Sequence, residues 1–234
     1  STLEEDREGA IAALRQRRTV TLTQENADPV ERPLEEILFT SNVLLTIPES
    51  REKLETLTLP DELKHRIAGV MDEPQRYFYD HPIHIGVDLD ANEAFYGLRG
   101  LDSAIEFEKE RGRVNRESRG KVVLSLSVTH EGLHSVARDY LAAELRKAPP
   151  FEHLEVYLFT EIEAQEIVDS LLAPYFPDES LQAVRGVFGV DGEYGRHYTF
   201  LKAIAAFWQV FLDPRLRGTF KIDLDQVFPQ KELL

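Results

Sequence analysis

The fold of this chain is decided by residues 191–230, DGEYGRHYTFLKAIAAFWQVFLDPRLRGTFKIDLDQVFPQ. The stretch predicts a turn, a helix, a short connector and a strand that ends in two aspartates. In residues 220–225 apolar and charged side chains alternate, which is the period of a strand with one buried face. The alternation predicts that Asp223 and Asp225 point to the same side of that strand.

The two aspartates have the spacing of a metal site. Successive side chains on one side of a strand lie roughly 6.5 to 7 Å apart, so two short acidic side chains can converge on one cation. Mg²⁺ or Mn²⁺ is the expected ion, because oxygen-only ligation suits both and leaves positions open for phosphate oxygens. We therefore expect Asp223 and Asp225 to bind a divalent metal.

The helix that precedes this strand predicts an anion site at its start. Its apolar residues recur at steps of four, three and four, as expected for packing on a sheet: Phe200, Ile204, Phe207 and Phe211. Arg196 and His197 lie near the end where free N–H groups and the helix dipole favour an anion. The stretch thus offers a metal site and an anion site in sequence, and a metal-bound diphosphate would need both.

The composition is that of a soluble protein and excludes several classes. With 234 residues, 42% hydrophobic and 29% charged, the chain can bury one sizeable core. It has no cysteine, so it can form neither disulfides nor thiolate metal sites. The formal charge of −15 opposes non-specific binding to nucleic acid, which needs clustered basic side chains.

The sequence also predicts where the protein is located. No stretch approaches the length of a membrane span, and the first residues lack the apolar core of a signal peptide. We therefore expect a cytoplasmic protein with no integral membrane segment. The oligomeric state is left open by the sequence.

The pattern changes near residue 120. Residues 1–120 predict a mainly helical accessory region with short strands, and the glycines and arginines of residues 111–120 mark the best boundary. Residues 121–234 predict an α/β domain. Its predicted order is a buried strand at 122–128, a helix at 134–146, a strand at 154–160 and a helix at 161–172.

Alternation of strands and helices predicts a Rossmann-like, mostly parallel sheet with flanking helices. Ligands of such sheets bind at the carboxyl ends of the strands. The polar residues expected at those ends, besides the two aspartates, are Ser127, Thr129, His130, Thr160 and Glu161.

This order of elements resembles the nucleotide-binding half of the A-type-fold glycosyltransferases, in particular their large inverting group. That group has a Gly-rich turn, an Ala-Arg-Asn start to a helix, and a strand ending in Asp-x-Asp with a proline soon after. The corresponding features here are Gly192, the run Gly195-Arg196-His197, the pair Asp223 and Asp225, and Pro229. Gly195 stands where the group has alanine, and His197 stands where it has asparagine.

The resemblance implies transfer of a sugar from a nucleotide-diphosphate donor to an acceptor that the sequence does not identify. Asp225 would hold the cation on the diphosphate, and Asp223 would act through the ribose or a water. Arg196 would neutralise phosphate charge, while Thr129 and Glu161 would contact the nucleoside. The general base would follow the Asp-x-Asp motif, so we expect it beyond Leu234 and expect the chain to be a fragment.

Two hydrolase hypotheses compete with the transferase. Asp88 and Asp90 follow a short apolar run that resembles the nucleophile strand of haloacid-dehalogenase-like phosphatases, with Thr160, Lys202 and the later aspartates as further motifs. His130, Glu131 and His134 formally match the H-E-x-x-H motif of zinc proteases. They lie at a predicted turn from strand to helix, which does not suit two ligands on one helix face.

A third hypothesis belongs to another class. A chain with a donor site and no complete active site could be a non-catalytic module that binds sugar nucleotides or serves as a scaffold. Binding without turnover would distinguish it from the transferase.

Overall fold

The computed structural model describes residues 2–19, 23–78, 81–190, 196–226 and 228; the side chains of residues 2–6 and 196–203 lie outside that description. The chain divides into two units, Ser1–Glu31 and Arg32–Leu234. The first unit contains helix α1, Thr2–Arg18, and its described side chains are exposed. The second unit contains the sheet.

The strands and helices of the second unit alternate along the chain. The strands are β1 Ile37–Thr46, β2 Ile83–His84, β3 Gly120–Val128, β4 Leu154–Phe159 and β5 Gly218–Lys221. The helices are α2 Pro33–Glu36, α3 Arg51–Thr56, α4 Asp61–Val70, α5 Glu93–Glu110, α6 His134–Lys147, α7 Glu161–Glu166, α8 Asp178–Phe188 and α9 Arg196–Phe211. A 3₁₀ turn at Glu131–Leu133 precedes α6, and a π-helical segment, Ile167–Leu172, follows α7.

The strands described here form one sheet, and all their pairings are parallel. Strand β1 pairs with β3 on one side, and β3 pairs with β4. On its other side β1 pairs with β5 along its first half and with β2 at its end. The predicted α/β class with a mostly parallel sheet and flanking helices is therefore confirmed.

The sheet takes strands from both sides of residue 120. Strands β1 and β2 belong to the stretch that we assigned to an accessory region, yet they pair within the same sheet as β3 and β5. Strand β1 has neighbours on both sides.

The two faces of the sheet are covered by different helices. On one face alternate β3 residues such as Leu124 and Leu126 are fully buried in a core that also contains Phe95 of α5 and Tyr140 of α6. On the other face the core is smaller: it contains Leu38, Val123, Ile204 and Leu216, with Trp208 of α9 packed against it. Helix α9 therefore covers the second face.

The last strand is shorter than its sequence pattern predicts. Strand β5 ends at Lys221, and Leu224 and Asp225 lie in a turn. Phe220, predicted as buried, is 58% exposed, whereas Ile222 and Leu224 are buried as predicted. Phe220 is exposed because β5 lies at an edge of the sheet, where its ring contacts Phe39 edge to face with centroids 6.4 Å apart.

Among the described residues, no helix is both long enough and apolar enough to cross a bilayer.

Candidate functional site

The turn that carries Asp223 and Asp225 is fixed from two sides. Ile222 still donates its backbone N–H to the carbonyl oxygen of Thr40, at 2.9 Å. The buried Ser41 hydroxyl donates to the carbonyl oxygen of Ile222, at 2.8 Å. The carbonyl oxygen of Ile222 therefore accepts from the Ser41 hydroxyl, whereas in a longer β5 it would accept from the β1 backbone. The strand pairing stops here, and the chain turns.

Both carboxylates of the turn face solvent. The Asp223 side chain is 53% exposed; it forms an ion pair with Lys221 and lies 3.5 Å from the Gln226 amide nitrogen. Asp225 is also exposed. The described residues contain no group of three or more His, Cys, Asp or Glu side chains placed to hold a metal. Two carboxylates with open remaining positions suit Mg²⁺ or Mn²⁺, which keep waters and phosphate oxygens as ligands.

A row of polar residues crosses the sheet beside this turn. Lys221, the last residue of β5, pairs with Thr40 and so shares a face with Thr40 and Asn42 of β1. Asn42 is the direct partner of Ser125 in β3. The register therefore places Lys221, Asn42 and Ser125 on one face of three neighbouring strands, and Asp223 of the acidic turn forms an ion pair with Lys221.

Three polar atoms of this row have no hydrogen-bond partner among the residues that the structure describes. They are Asn42 Oδ1 and the hydroxyl oxygens of Ser125 and Ser127, and each is buried. Ser125 is 0% exposed and Ser127 is 2% exposed. Leaving a buried donor or acceptor without a partner costs about 1–3 kcal/mol, so such groups are rare in packed cores.

Thr129 and His130 lie together at the carboxyl end of β3, as predicted. The Thr129 hydroxyl donates to the Thr46 hydroxyl at 2.7 Å and lies 2.8 Å from His130 Nδ1. The Thr129 carbonyl oxygen accepts from the backbone N–H groups of Arg76 and Tyr77, at 3.0 Å each. Burial lowers the pKa of His130, and the Glu73 carboxylate opposes that shift.

Glu161 follows β4 and is joined to the end of β3 through a histidine. Its carboxylate oxygen Oε2 lies 3.1 Å from His134 Nε2, and both side chains are largely buried. The Thr160 hydroxyl caps α7: it accepts from Ile162 N at 3.2 Å, and Glu163 returns a bond to the Thr160 backbone N–H. The Thr160 side chain is thus already hydrogen-bonded within the N-cap of α7.

The predicted site residues fall into two groups. Thr129, His130 and Glu161 lie at the carboxyl edge of β3 and β4, level with Thr46. The acidic turn follows Lys221, which pairs with Thr40, six residues before Thr46 along β1. Asn42, Ser125 and Ser127 lie between these two levels of the sheet.

Arg196 and His197 begin α9, but their side chains lie outside the described part of the chain, as do Gly192, Gly195 and Pro229. Beyond the end of this helix, Asp213 pairs with Lys121 near the start of β3, at 3.0 Å. Helix α9 therefore ends on the side of the amino edge of the sheet.

The structure gives the hydrolase alternatives little support. Asp88 and Asp90 lie on an exposed loop after the two-residue strand β2, in ion pairs with Lys53 at 3.6 Å and Arg99 at 3.1 Å. Their side chains are 88% and 94% exposed, whereas a nucleophile strand should be central.

The H-E-x-x-H match also lacks the geometry of a zinc site. His130 precedes the 3₁₀ turn and His134 begins α6, so the two do not lie on one helix face. Their ring nitrogens contact Thr129 and Glu161, respectively. The Glu131 carboxylate accepts from the Tyr77 hydroxyl at 2.8 Å.

Sequence reasoning missed Asn42 and Ser125 as site residues, whereas Ser127 is among the polar residues expected at the strand ends. The signal was present, because each interrupts an otherwise apolar strand, in the runs FTSNVLL and VLSLSV. Comparison with models of known families, with curated proteins and with solved structures found no match, so the function of this site is argued from its own residues.

Proposed function

We propose that the chain binds a nucleotide-diphosphate sugar through a divalent cation held by Asp223 and Asp225, and serves the transfer of that sugar to an acceptor. The observation that carries the proposal is that the acidic turn follows Lys221, which shares a face of the sheet with Asn42 and Ser125 and forms an ion pair with Asp223. The same face has buried polar groups for which the described residues offer no partner.

The charges of the site suit a ligand that is anionic at one end only. The acidic turn needs a cation before it can accept a phosphate, because two carboxylates repel an anion. The polar row carries no charge, which suits the neutral part of a nucleotide. A ligand with a metal-bound diphosphate and an uncharged nucleoside satisfies both conditions.

Each residue has a role in the proposed site. Asp225 and Asp223 would hold Mg²⁺ or Mn²⁺, which supplies Lewis-acid stabilisation of the charge on a departing diphosphate. Ser41 and the backbone of Thr40 hold the turn in place. Arg196 and His197 begin α9 and are proposed to bind the phosphates, which a helix start favours. Thr129 and Glu161 are proposed to contact the nucleoside at that edge.

Ligand-induced stabilisation tests the proposal. The thermal midpoint of the chain should be measured with UDP-sugars and GDP-sugars, each with and without Mn²⁺. At a ligand concentration of about 100 Kd the stabilisation is roughly 2.7 kcal/mol, which for a chain of this size raises the midpoint by about 5–10 °C. The rise should require the metal and should be lost in Asp225→Asn.

A matched control is provided by the second acidic pair. Asp90→Asn removes an exposed carboxylate of the same type and should leave the metal-dependent rise unchanged. A rise of equal size without metal, or one that survives Asp225→Asn, would contradict the proposed site. Hydrolysis of a generic phosphate ester that is abolished by Asp88→Asn would favour the phosphatase instead.

Turnover separates the transferase from the non-catalytic module. Release of nucleoside diphosphate from the stabilising sugar nucleotide, in the presence of candidate acceptors, supports transfer. Tight binding with no release under any acceptor would favour the binding module.

A further inference from the structure

The row formed by Asn42, Ser125 and Ser127 is built like a binding surface and unlike a packed core. Asn42 and Ser125 are direct neighbours on adjacent strands, and Ser127 lies two residues beyond Ser125 on the same face. The three polar atoms are buried and find no partner within the described part of the chain. At equivalent positions nearer the amino edge, the same face has Leu38 and Val123, which pack against α9.

The chemistry of the row defines what could occupy it. Asn42 Oδ1 accepts hydrogen bonds, and each serine hydroxyl both donates and accepts. No ionisable side chain belongs to the row, and Lys221 on the same face of β5 already pairs with Asp223, so the row itself offers a phosphate or a carboxylate no counter-charge. Leu44 lies opposite Ser127, and Phe159 lies beside Ser125 in β4. The surface is thus polar at three points and apolar between them.

We infer that this row is the seat of a nucleobase, which is an uncharged planar ring that presents donors and acceptors on one edge. The inference rests on the proposed function and adds the site of base recognition to it. Asp223 forms an ion pair with Lys221, and Lys221 lies on the same face of the sheet as Asn42 and Ser125. The cation and the base of one nucleotide would therefore lie on the same face of the sheet.

Binding of free nucleosides tests the inference without metal or diphosphate. Uridine, cytidine, guanosine and adenosine should be titrated into the intact chain, followed by the nucleoside diphosphate of the base that binds best, with Mn²⁺. Ser125→Ala and Ser127→Ala should each weaken nucleoside binding by roughly fivefold, the loss expected for one neutral hydrogen bond. The same variants should leave the affinity for Mn²⁺ with inorganic diphosphate unchanged.

The thermal stability of the ligand-free variants gives a second readout. Removal of a buried hydroxyl that makes no hydrogen bond should leave the thermal midpoint unchanged or raise it. Ser103→Ala, at an exposed position of α5, is the control for nucleoside binding, which it should leave unchanged; its midpoint should be unchanged or slightly raised, because alanine is the better helix former. A clear fall of the midpoint in Ser125→Ala and Ser127→Ala would show that ordered water satisfies the row for structural reasons, which overturns the inference.

The remaining outcomes distinguish a failure of the proposed nucleobase site from a failure of the proposed metal and diphosphate site. If a nucleoside diphosphate binds with Mn²⁺ and both serine variants bind it as well as the parent chain, the base lies elsewhere and only this inference fails. If inorganic diphosphate binds with Mn²⁺ and no nucleoside adds affinity, the inference also fails while the metal site stands. If neither nucleosides nor diphosphates bind, both claims fail.

Discussion

Gly97 of α5 lies directly against Leu224, the residue between the two aspartates. A Cβ on Gly97 would stand 2.5 Å from Leu224 Cα and 2.7 Å from Leu224 Cβ, closer than side-chain atoms approach. One turn further along α5, a Cβ on Gly100 would lie 3.3 Å from the ring of Phe228. Helix α5 thus sets the position of the acidic turn, since its glycines leave the space in which that turn packs.

Gly97→Ala should displace the turn. The added methyl group meets backbone of Leu224, which cannot rotate away, so we expect a loss of about 1–3 kcal/mol in the free energy of unfolding. If the aspartates bind Mn²⁺, the affinity for Mn²⁺ should fall in the same variant. Urea unfolding and a Mn²⁺ titration measure the two effects.

The control for this substitution is a glycine of another helix. A Cβ on Gly69 of α4 would have no described atom of another element within 4 Å, so the methyl group of Gly69→Ala meets open space. The substitution should be neutral or stabilise the chain by about 0.5–1 kcal/mol, as alanine does in helices. Equal effects of the two substitutions would contradict the role assigned to Gly97.

A second prediction concerns the connector between α9 and β5. The Asp213 carboxylate lies 3.0 Å from Lys121 Nζ and accepts from Arg215 N at 2.9 Å. The hydrogen bonds from Arg215 are the main cause that holds the pKa of Asp213 well below its ordinary value of 3.8. Asp213→Asn would leave the buried Lys121 ammonium without its counter-charge, at a cost of about 3 kcal/mol in urea unfolding.

The pH dependence of this pair has a definite sign. Because the folded pKa of Asp213 is lowered, its contribution is fully present above pH 3.8 and is lost as the pH falls below that value. The parent chain should therefore lose stability in this acid range faster than Asp213→Asn does. The double variant Lys121→Met/Asp213→Leu, which removes both charges, should recover part of the loss seen in the single variant.

The parts of the fold that the sequence predicts are those with an uninterrupted pattern. Residues 122–128 form a nearly continuous apolar run, and β3 spans the same region. Helix α6 also follows its apolar periodicity, whereas in α9 the predicted stripe is only partly buried: Ile204 is buried and Phe211 is 48% exposed. The Phe200 side chain lies outside the described residues. In β3 and α6 the local pattern and the buried face agree, so the pattern alone is sufficient.

Strand β1 shows why the rest could not be predicted. Thr40, Ser41 and Asn42 interrupt its apolar run, so the sequence does not indicate a strand with neighbours on both sides. Ser41 is polar because it turns the chain after β5, and Asn42 belongs to the polar row. Both reasons depend on residues that are distant in the sequence, which a local pattern does not contain.

The third prediction concerns His130. Burial lowers the pKa of this histidine from its ordinary value of 6.5. A lowered folded pKa means that its contribution to stability is present above pH 6.5 and is lost as the pH falls through the folded pKa, because the unfolded chain binds the proton first. The urea midpoint of the parent chain should therefore fall between about pH 7 and pH 5.

His130→Gln removes the titrating group and keeps a polar side chain near Thr129. In this variant the decline of the urea midpoint over the same pH range should be smaller than in the parent chain. An identical decline in both proteins would show that other groups are responsible for it.

The last prediction concerns Tyr140 of α6, which is fully buried and accepts a hydrogen bond from the backbone N–H of Gly86 at 2.9 Å. Tyr140→Phe leaves this buried N–H without its acceptor, so the free energy of unfolding should fall by about 1–3 kcal/mol. Tyr96→Phe, at a residue that is 51% exposed, should cost much less.

Alkaline titration provides the second test of Tyr140. Burial is the main cause that raises its pKa to about 12, so the phenol stays protonated in the folded chain at pH values where it ionises in the unfolded chain. The contribution of Tyr140 to stability is therefore present below pH 10 and is lost as the pH rises from 10 towards 12. The urea midpoint of the parent chain should fall over this range more steeply than that of Tyr140→Phe, and equal slopes would contradict the raised pKa.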